Sequence, residues 1–305
     1  MPLPQYNSTV MEPRLRIAAI TDEFGPDLPE AARAMASIGM TGAELRVVFG
    51  KNVLDLSDEE VGRARGVCAA HGLAVVALSS PLLKCVLPDA PPIDARFQQD
   101  VFGSRHTYAD QPRLAERAFE IAHATGARII RVFSYWRTVE PARCFGRIVE
   151  ALGALAEKAA RENLIIGLEN EHACNVSTGE DAARVLAAVN HPNLRLIWDP
   201  ANAYVGGEVP FPDGYVRLPA GAIAHVHAKD CYLEAPHKPA WGPLGACAID
   251  WKGQFAALLA DGYSGWVSLE THWPGPGGDK FQASTICGWN LRWLLSAPAS
   301  ADATR

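Results

Sequence analysis

The chain has 305 residues, 49% of them hydrophobic and 20% charged, a composition that excludes extensive disorder and supplies a large apolar core. Acidic residues number 34 against 28 Lys and Arg, and the formal net charge of −6 argues against nucleic acid as a partner. No apolar run approaches the about 20 residues of a membrane helix, so we expect no membrane partner.

The cysteines and the N-terminus predict a cellular location. The seven cysteines are scattered and form no Cys-x-x-Cys pattern, which favours reduced thiols over disulfides or a zinc ribbon. The first residues, MPLPQYNSTVMEPR, lack the basic and apolar regions of a secretory signal. We therefore expect a cytoplasmic protein.

Short apolar runs recur along the chain, each followed by a turn and an amphipathic stretch. Their nearly continuous apolar character predicts strands that are buried on both faces, as in a parallel sheet covered by helices. The eight runs are RIAAIT from Arg16, GAELRVV from Gly42, LAVVALS from Leu73, RIIRVFS from Arg128, LIIGLEN from Leu164, LRLIWD from Leu194, AIAHVHA from Ala222 and GWVSLE from Gly265.

Helical patterns fill the intervals between these runs. Ser57 and Glu60 have the spacing of a capping box, which predicts a helix that begins there. Near the C-terminus, Ile286, Trp289 and Trp293 recur at helical spacing and predict a face that packs on the core.

The alternation of eight strands with eight helical stretches, unbroken by any linker, predicts the domain organisation. It favours an α/β fold, a single (β/α)8 TIM barrel over residues 14–297, rather than two doubly wound halves. The ends lack hydrophobic periodicity, so we expect a flexible extension over residues 1–13 and a disordered tail over 298–305.

Two proline-rich segments interrupt the alternation. One extends from Ser80 to Gln111 after the third run, and the other from Asp230 to Ala248 after the seventh. Long loops of this kind are commonly functional. Both follow a strand, which places them at the end of a barrel where active sites are built.

Side chains that can bind a metal occur where four consecutive runs end. The intervals between these side chains are 30, 28 and 43 residues, and the residues are Glu169, Asp199, His227 and Glu270. The first two intervals are close to the length of one βα unit, and the third is longer because it contains an insertion. Adjacent strands of a barrel end at the same rim, so the four side chains can converge. Three carboxylates and one imidazole suit Mn²⁺ or Mg²⁺, with Co²⁺ or Zn²⁺ as alternatives.

The residues around these positions resemble the motifs of the xylose isomerase-like TIM barrels, the sugar isomerase/epimerase superfamily. The resemblance covers nearly the whole chain and rests chiefly on GLENEH from Gly167, WDPANAY from Trp198, HVHAKD from His225 and SLETHW from Ser268. It implies that Glu169, Asp199, His227 and Glu270 hold one divalent ion.

Two neighbouring residues compete for places in this set. Glu171 lies two residues after Glu169, and His225 two residues before His227, so each pair shares a face of an extended strand and spacing cannot choose between its members. The L-E-N and H-x-K-D patterns of the family favour Glu169 and His227. His225 is then a supporting or core residue.

The resemblance implies a sugar or polyol isomerase or epimerase. A metal that holds a carbonyl and a neighbouring hydroxyl stabilises an enediolate, and carboxylates move the proton. We expect Glu169 and Glu270 to be the acid/base pair. The alternatives are a metal-dependent dehydratase of a keto-polyol, an endonuclease IV-like DNA repair enzyme, and a barrel that binds a sugar or a protein without catalysis.

Further polar and aromatic residues at the strand ends and in the loops are suited to a small sugar or polyol. The oligomeric state and the phosphorylation of the substrate are left open, although no glycine-rich phosphate loop is present. The predicted substrate-binding residues are Arg46, Lys84, His172, Asn202, Asp230 and Trp241.

Overall fold

The computed structural model describes residues 13–97 and 105–296 and confirms the predicted (β/α)8 barrel. All eight predicted runs form strands of one closed, parallel sheet. These strands are β1 Arg16–Ile20, β2 Gly42–Leu45, β3 Ala74–Leu82, β4 Ile129–Val132, β5 Ile165–Glu169, β6 Leu194–Trp198, β7 Ile223–Ala228 and β8 Trp266–Leu269.

The barrel closes because β1 pairs in parallel with β2 on one side and with β8 on the other. Its lower interior is apolar and is filled by short or branched side chains, which are Ala18, Val76, Ala77, Ile129 and Ile197. This packed layer forms a fixed floor, and polar side chains occupy the interior above it.

Helices alternate with the strands and cover the outside of the barrel. They are α1 Leu28–Ile38, α2 Asp58–Ala70, α3 Gln111–Thr125, α4 Phe145–Arg161, α5 Gly179–Val189, α6 Pro200–Val205, α7 Trp251–Ala260 and α8 Lys280–Ser296. The predicted capping box is present, since Ser57 and Glu60 exchange hydrogen bonds at the start of α2.

The predicted core face of α8 is only partly correct, since Trp289 packs against the core whereas Trp293 faces solvent. Trp293 is 57% exposed, whereas Cys287, Gly288 and Leu291 are buried. The helix has apolar residues on most of its faces, so periodicity alone does not identify the packed one. Gly288 explains which face of α8 packs against α1, because a Cβ at this position would lie 2.8 Å from Ile38 Cδ1 and would hold the two helices apart.

The segment after β7, expected to be a loop, contains an antiparallel hairpin. Asp230–Ala235 pairs with Lys238–Gly242. Pro239 is accommodated within this two-stranded ribbon, where only one side of each strand is paired. In the insertion after β3, Ile93 forms a bridge with Thr138, and residues 98–104 lie outside the described residues.

The predicted extension over residues 1–13 and the tail over 298–305 fall outside the described residues, apart from Pro13. Within residues 13–97 and 105–296, no helix combines the length and the apolar character that crossing a bilayer requires. The seven cysteines all lie in the described ranges and are free thiols.

Gly167 in β5 provides a test of the packing in the barrel floor. A Cβ at this position would lie 2.7 Å from Ile197 Cγ1 and 2.9 Å from Ile129 Cγ2. Overpacking should therefore lower the free energy of unfolding of Gly167→Ala by about 1–3 kcal/mol, as measured in urea. The control is Gly153→Ala in α4, where the nearest atom, Val189 Cγ1, is 4.0 Å away and a gain of about 0.4–1 kcal/mol is expected. Equal stabilities of the two variants would contradict this packing.

Candidate metal centre and active site

The four predicted ligands converge at the C-terminal mouth of the barrel. Glu169 is the last residue of β5, His227 lies in β7, and Asp199 and Glu270 directly follow β6 and β8. One donor atom from each residue lies within 4.8 Å of the other three, and all four residues are at most 2% exposed. We call these residues the four-residue cluster.

The donor set and the hydrogen bonding of the cluster fit a divalent ion. Asp199 Oδ1 accepts a hydrogen bond from the backbone N–H of Asn202 at the start of α6. Asp199 Oδ2 is buried and forms no hydrogen bond of good geometry, although the Lys229 ammonium lies 2.9 Å from it. A cation bound by the cluster would satisfy this oxygen, and carboxylates with one imidazole are ligands that Mn²⁺ or Mg²⁺ accepts.

Glu44 in β2 orients the imidazole of His227. Glu44 Oε2 lies 3.1 Å from His227 Nε2, while His227 Nδ1 lies 3.2 Å from Glu169 Oε1. Burial acts to raise the pKa of the Glu44 carboxyl, but the imidazoles of His225 and His227 outweigh it and hold that pKa well below its ordinary value. A carboxylate behind a ligating histidine fixes the ring and makes it a better donor.

Asn170 fixes the ends of two neighbouring strands relative to each other. Its side-chain oxygen accepts a hydrogen bond from Asp199 N at 2.9 Å, and its amide donates to Asp199 O at 2.8 Å. This pair of bonds joins the end of β5 to the end of β6. The predicted ligands Glu169 and Asp199 are thereby held side by side.

The two competing residues lie apart from the cluster. β5 ends at Glu169, and after the turn Glu171 contacts Lys84 Nζ at 3.3 Å and His172 Nδ1 at 2.9 Å. His225 lies deeper in the barrel, where its Nε2 is hydrogen-bonded to Glu44. The structure therefore brings Glu169 and His227, rather than Glu171 and His225, together with Asp199 and Glu270.

Buried cations compensate the carboxylates of the cluster. Arg131 Nη1 lies 3.1 Å from Glu169 Oε2, and Arg46 Nη1 lies 3.0 Å from Glu270 Oε1. Burial acts to raise the pKa of Glu270, but Lys229 and neighbouring imidazoles outweigh it and hold the pKa well below its ordinary value. For Asp199 the effect of burial prevails, and its pKa is raised.

The predicted substrate-binding residues occupy different environments around the cluster. Arg46 is 1% exposed and pairs with Asp22 at 2.9 Å and Glu23 at 2.5 Å as well as with Glu270, so it supports the cluster directly. The Asp230 carboxylate accepts hydrogen bonds from four backbone N–H groups, those of Cys231, Gly245, Cys247 and Ile249, and thereby holds the base of the hairpin.

His172, Asn202 and Trp241 lie beside or above the cluster. His172 Nδ1 is 2.8 Å from Asn202 Oδ1, and Asn202 donates to Glu169 Oε1 at 3.3 Å. The ring centroid of Trp241, on the hairpin, lies 4.6 Å from that of His272 and 6.4 Å from that of His172. These rings form an aromatic cover over the cluster, and their contacts with a substrate stay a prediction.

Sequence reasoning assigned no role to Glu44, Arg131, Asn170 or Lys229. Glu44 lies in the GAELRVV run and Asn170 in the GLENEH motif, so both segments contained these residues without revealing their contacts. Arg131 and Lys229 are charged residues within or beside buried runs. An isolated charge in such a run is a usable signal, because a buried charge requires a partner.

Comparisons with known proteins agree with this architecture. A family model described as a xylose isomerase-like TIM barrel matches residues 32–296. Inosose dehydratase from Bacillus licheniformis is 26% identical over 173 residues, which are 50% of this chain and 56% of that enzyme. The match therefore spans little more than half the length of this relative.

Solved structures share the fold over most of the chain. A probable 3-DHS dehydratase from Bacillus anthracis has a TM-score of 0.66 and 18% identity, with 89% of this chain and 97% of that chain covered. D-allulose 3-epimerase from Methylomonas sp., in complex with D-allulose, has a TM-score of 0.64 and 18% identity, with 94% and 97% covered. At these identities the likeness is one of fold.

Replacement of a cluster residue should abolish binding of the ion. Asp199→Ala and His227→Ala each remove one of four ligands, so neither variant should retain the divalent ion that wild-type protein binds after incubation with Mn²⁺. The matched control is Glu171→Ala, which removes a buried carboxylate outside the cluster and should retain the ion. Elemental analysis after gel filtration measures the bound metal. Loss of the ion in Glu171→Ala, with retention in Asp199→Ala and His227→Ala, would show that Glu171 is the ligand.

Proposed function

Because this chain belongs to the xylose isomerase-like TIM barrel family, as its motifs predicted, we propose that it is a divalent-metal-dependent isomerase or epimerase of a sugar or polyol. The observation that carries the proposal is the four-residue cluster, whose donor atoms lie within 4.8 Å of one another at the mouth of the barrel. In this fold the mouth formed by the strand ends is where catalysis takes place. The four-residue cluster does not depend on a particular sugar.

Glu169, Asp199, His227 and Glu270 would hold the ion. A bound Mn²⁺ or Mg²⁺ supplies a Lewis acid that polarises a substrate carbonyl and stabilises the negative oxygen that forms when a neighbouring C–H loses its proton. Asp199 and His227 are fixed by the start of α6 and by Glu44, which suits them to hold the ion in one place. Their rigidity would orient the substrate as well.

Glu169 and Glu270 would move the proton. They stand on β5 and after β8, three strands apart in the barrel, so they approach a substrate in the mouth from different sides. One carboxylate would take the proton from carbon, and the other would return a proton to the opposite face. The aromatic cover, with Trp241 nearest to His272, would limit the access of water to the carbanionic species.

A dehydratase is the second candidate, and the match with inosose dehydratase favours it specifically. The first step is the same removal of a proton next to a carbonyl. Expulsion of a β-hydroxyl then replaces the return of the proton to carbon. The same four residues would serve both reactions, so the products must decide between them.

Replacement of either glutamate by glutamine should stop turnover without removing the ion. The amide oxygen can still bind a cation, but the amide cannot accept and return a proton. We expect a loss in kcat of at least about 10²-fold for Glu169→Gln and for Glu270→Gln, with metal content largely preserved. The exposed Glu157→Gln in α4 is the control. Full turnover in either cluster variant would remove that glutamate from the chemistry.

Reaction in heavy water distinguishes the candidate reactions. With D-allulose, D-fructose and inosose as test substrates, an isomerase or epimerase that uses proton transfer should introduce deuterium at the carbon that reacts. A dehydratase should instead release water and form an unsaturated or deoxy keto product, visible by mass spectrometry. Turnover with complete retention of the original hydrogen would indicate a hydride shift and contradict the role of the glutamates.

A further inference from the structure

Lys229 is a buried cation that contacts the four-residue cluster from within. It directly follows β7 and is 3% exposed. Its Nζ lies 2.9 Å from Asp199 Oδ2 and 2.6 Å from Glu270 Oε2. A single ammonium group therefore contacts two carboxylates, one that follows β6 and one that follows β8.

Arg46 and Arg131 bind the oxygens of Glu270 and Glu169 that do not face His227. Arg46 contacts Glu270 Oε1, whereas Lys229 contacts Oε2, the oxygen that lies 3.7 Å from His227 Nδ1. Arg131 contacts Glu169 Oε2, while Oε1 of that carboxylate faces His227. The arginines thus leave free for a metal ion the carboxylate oxygens that face His227. Lys229 instead occupies one of these oxygens, Glu270 Oε2.

The ammonium and a divalent ion require the same oxygens. Asp199 Oδ2 is buried and forms no hydrogen bond of good geometry with the described residues, and the cation beside it is Lys229, whose Nζ lies 2.9 Å away. Two positive groups at the same pair of buried oxygens repel each other strongly, because little water is present to screen them. Both cannot hold Asp199 Oδ2 and Glu270 Oε2 at once.

We propose that Lys229 is a built-in competitor of the divalent ion. Its ammonium neutralises Asp199 and Glu270, and binding of the ion displaces it toward the face of Trp241, whose ring centroid is 5.5 Å from Nζ. This inference rests on the metal centre proposed above. Lys229 would weaken binding of the ion and would keep the buried carboxylates compatible with a folded barrel when no ion is bound.

The test is Lys229→Met, which keeps the length of the side chain and removes the charge. Mn²⁺ titration followed by electron paramagnetic resonance should show at least about tenfold tighter binding than in wild-type protein. After treatment with a chelator, the variant should melt on the order of 10 °C lower than wild type, because its carboxylates lose a counter-charge. Added Mn²⁺ should reverse this loss.

Lys84→Met is the matched control. Lys84 is also buried at the mouth, but its ammonium contacts Glu171, outside the cluster. Removal of this ammonium should change the Mn²⁺ affinity less than about threefold. A more distant charge acts more weakly on the ion, with roughly one half of the free-energy effect expected for Lys229. Should Lys229→Met fold poorly, Lys229→Gln carries the same readouts.

The outcomes separate this inference from the proposed function. Failure of wild-type protein to bind any divalent ion would overturn both. Binding of Mn²⁺ by wild type with unchanged or weaker affinity in Lys229→Met would overturn the role of Lys229 alone. Equal tightening in Lys84→Met and Lys229→Met would also overturn it, since the effect would then be one of overall charge rather than of shared oxygens.

Discussion

Three buried carboxylates that meet within 4.8 Å are the constraint on which the upper half of the barrel depends. Ionised groups at such distances repel each other strongly away from water, and each requires a partner of opposite charge. Arg131 supplies it for Glu169, Arg46 for Glu270, and Lys229 for Asp199. The burial of these three cations is therefore explained by the carboxylates of the cluster.

The lower half of the barrel meets the opposite requirement, since it excludes polar groups. Small and branched apolar side chains fill it, and Gly167 leaves room for Ile197 and Ile129. Above this floor, Glu44 and Asn170 fix the directions of His227 and Asp199 by hydrogen bonds. The donors are thus held by packing below and by polar contacts around them, an arrangement that reduces the reorganisation needed when a ligand binds.

The fold and the convergence of the four-residue cluster were predictable because both follow a regular repeat. Strands buried on two faces read as continuous apolar runs, and about one βα unit separates most of the cluster residues at the strand ends. The choice between Glu169 and Glu171 was not predictable from spacing, because it depends on β5 ending at Glu169. The contacts of Lys229 join the ends of β6, β7 and β8 in space, so the sequence shows a buried charge there without showing its partners. The position of Trp293 depends on a close approach at Gly288, which has no local sequence signal.

The hairpin that carries Trp241 is anchored at its turn, where His237 Nδ1 lies 2.7 Å from Val205 O in α6, and at its base. Four backbone N–H groups converge on the Asp230 carboxylate there, while Tyr232 and Glu234 farther along are exposed. The ribbon is thus held at its base and at its turn, and these exposed positions lie between the two attachments. Substitutions at the exposed positions can therefore change the outer surface of the ribbon without loosening the two attachments that place Trp241.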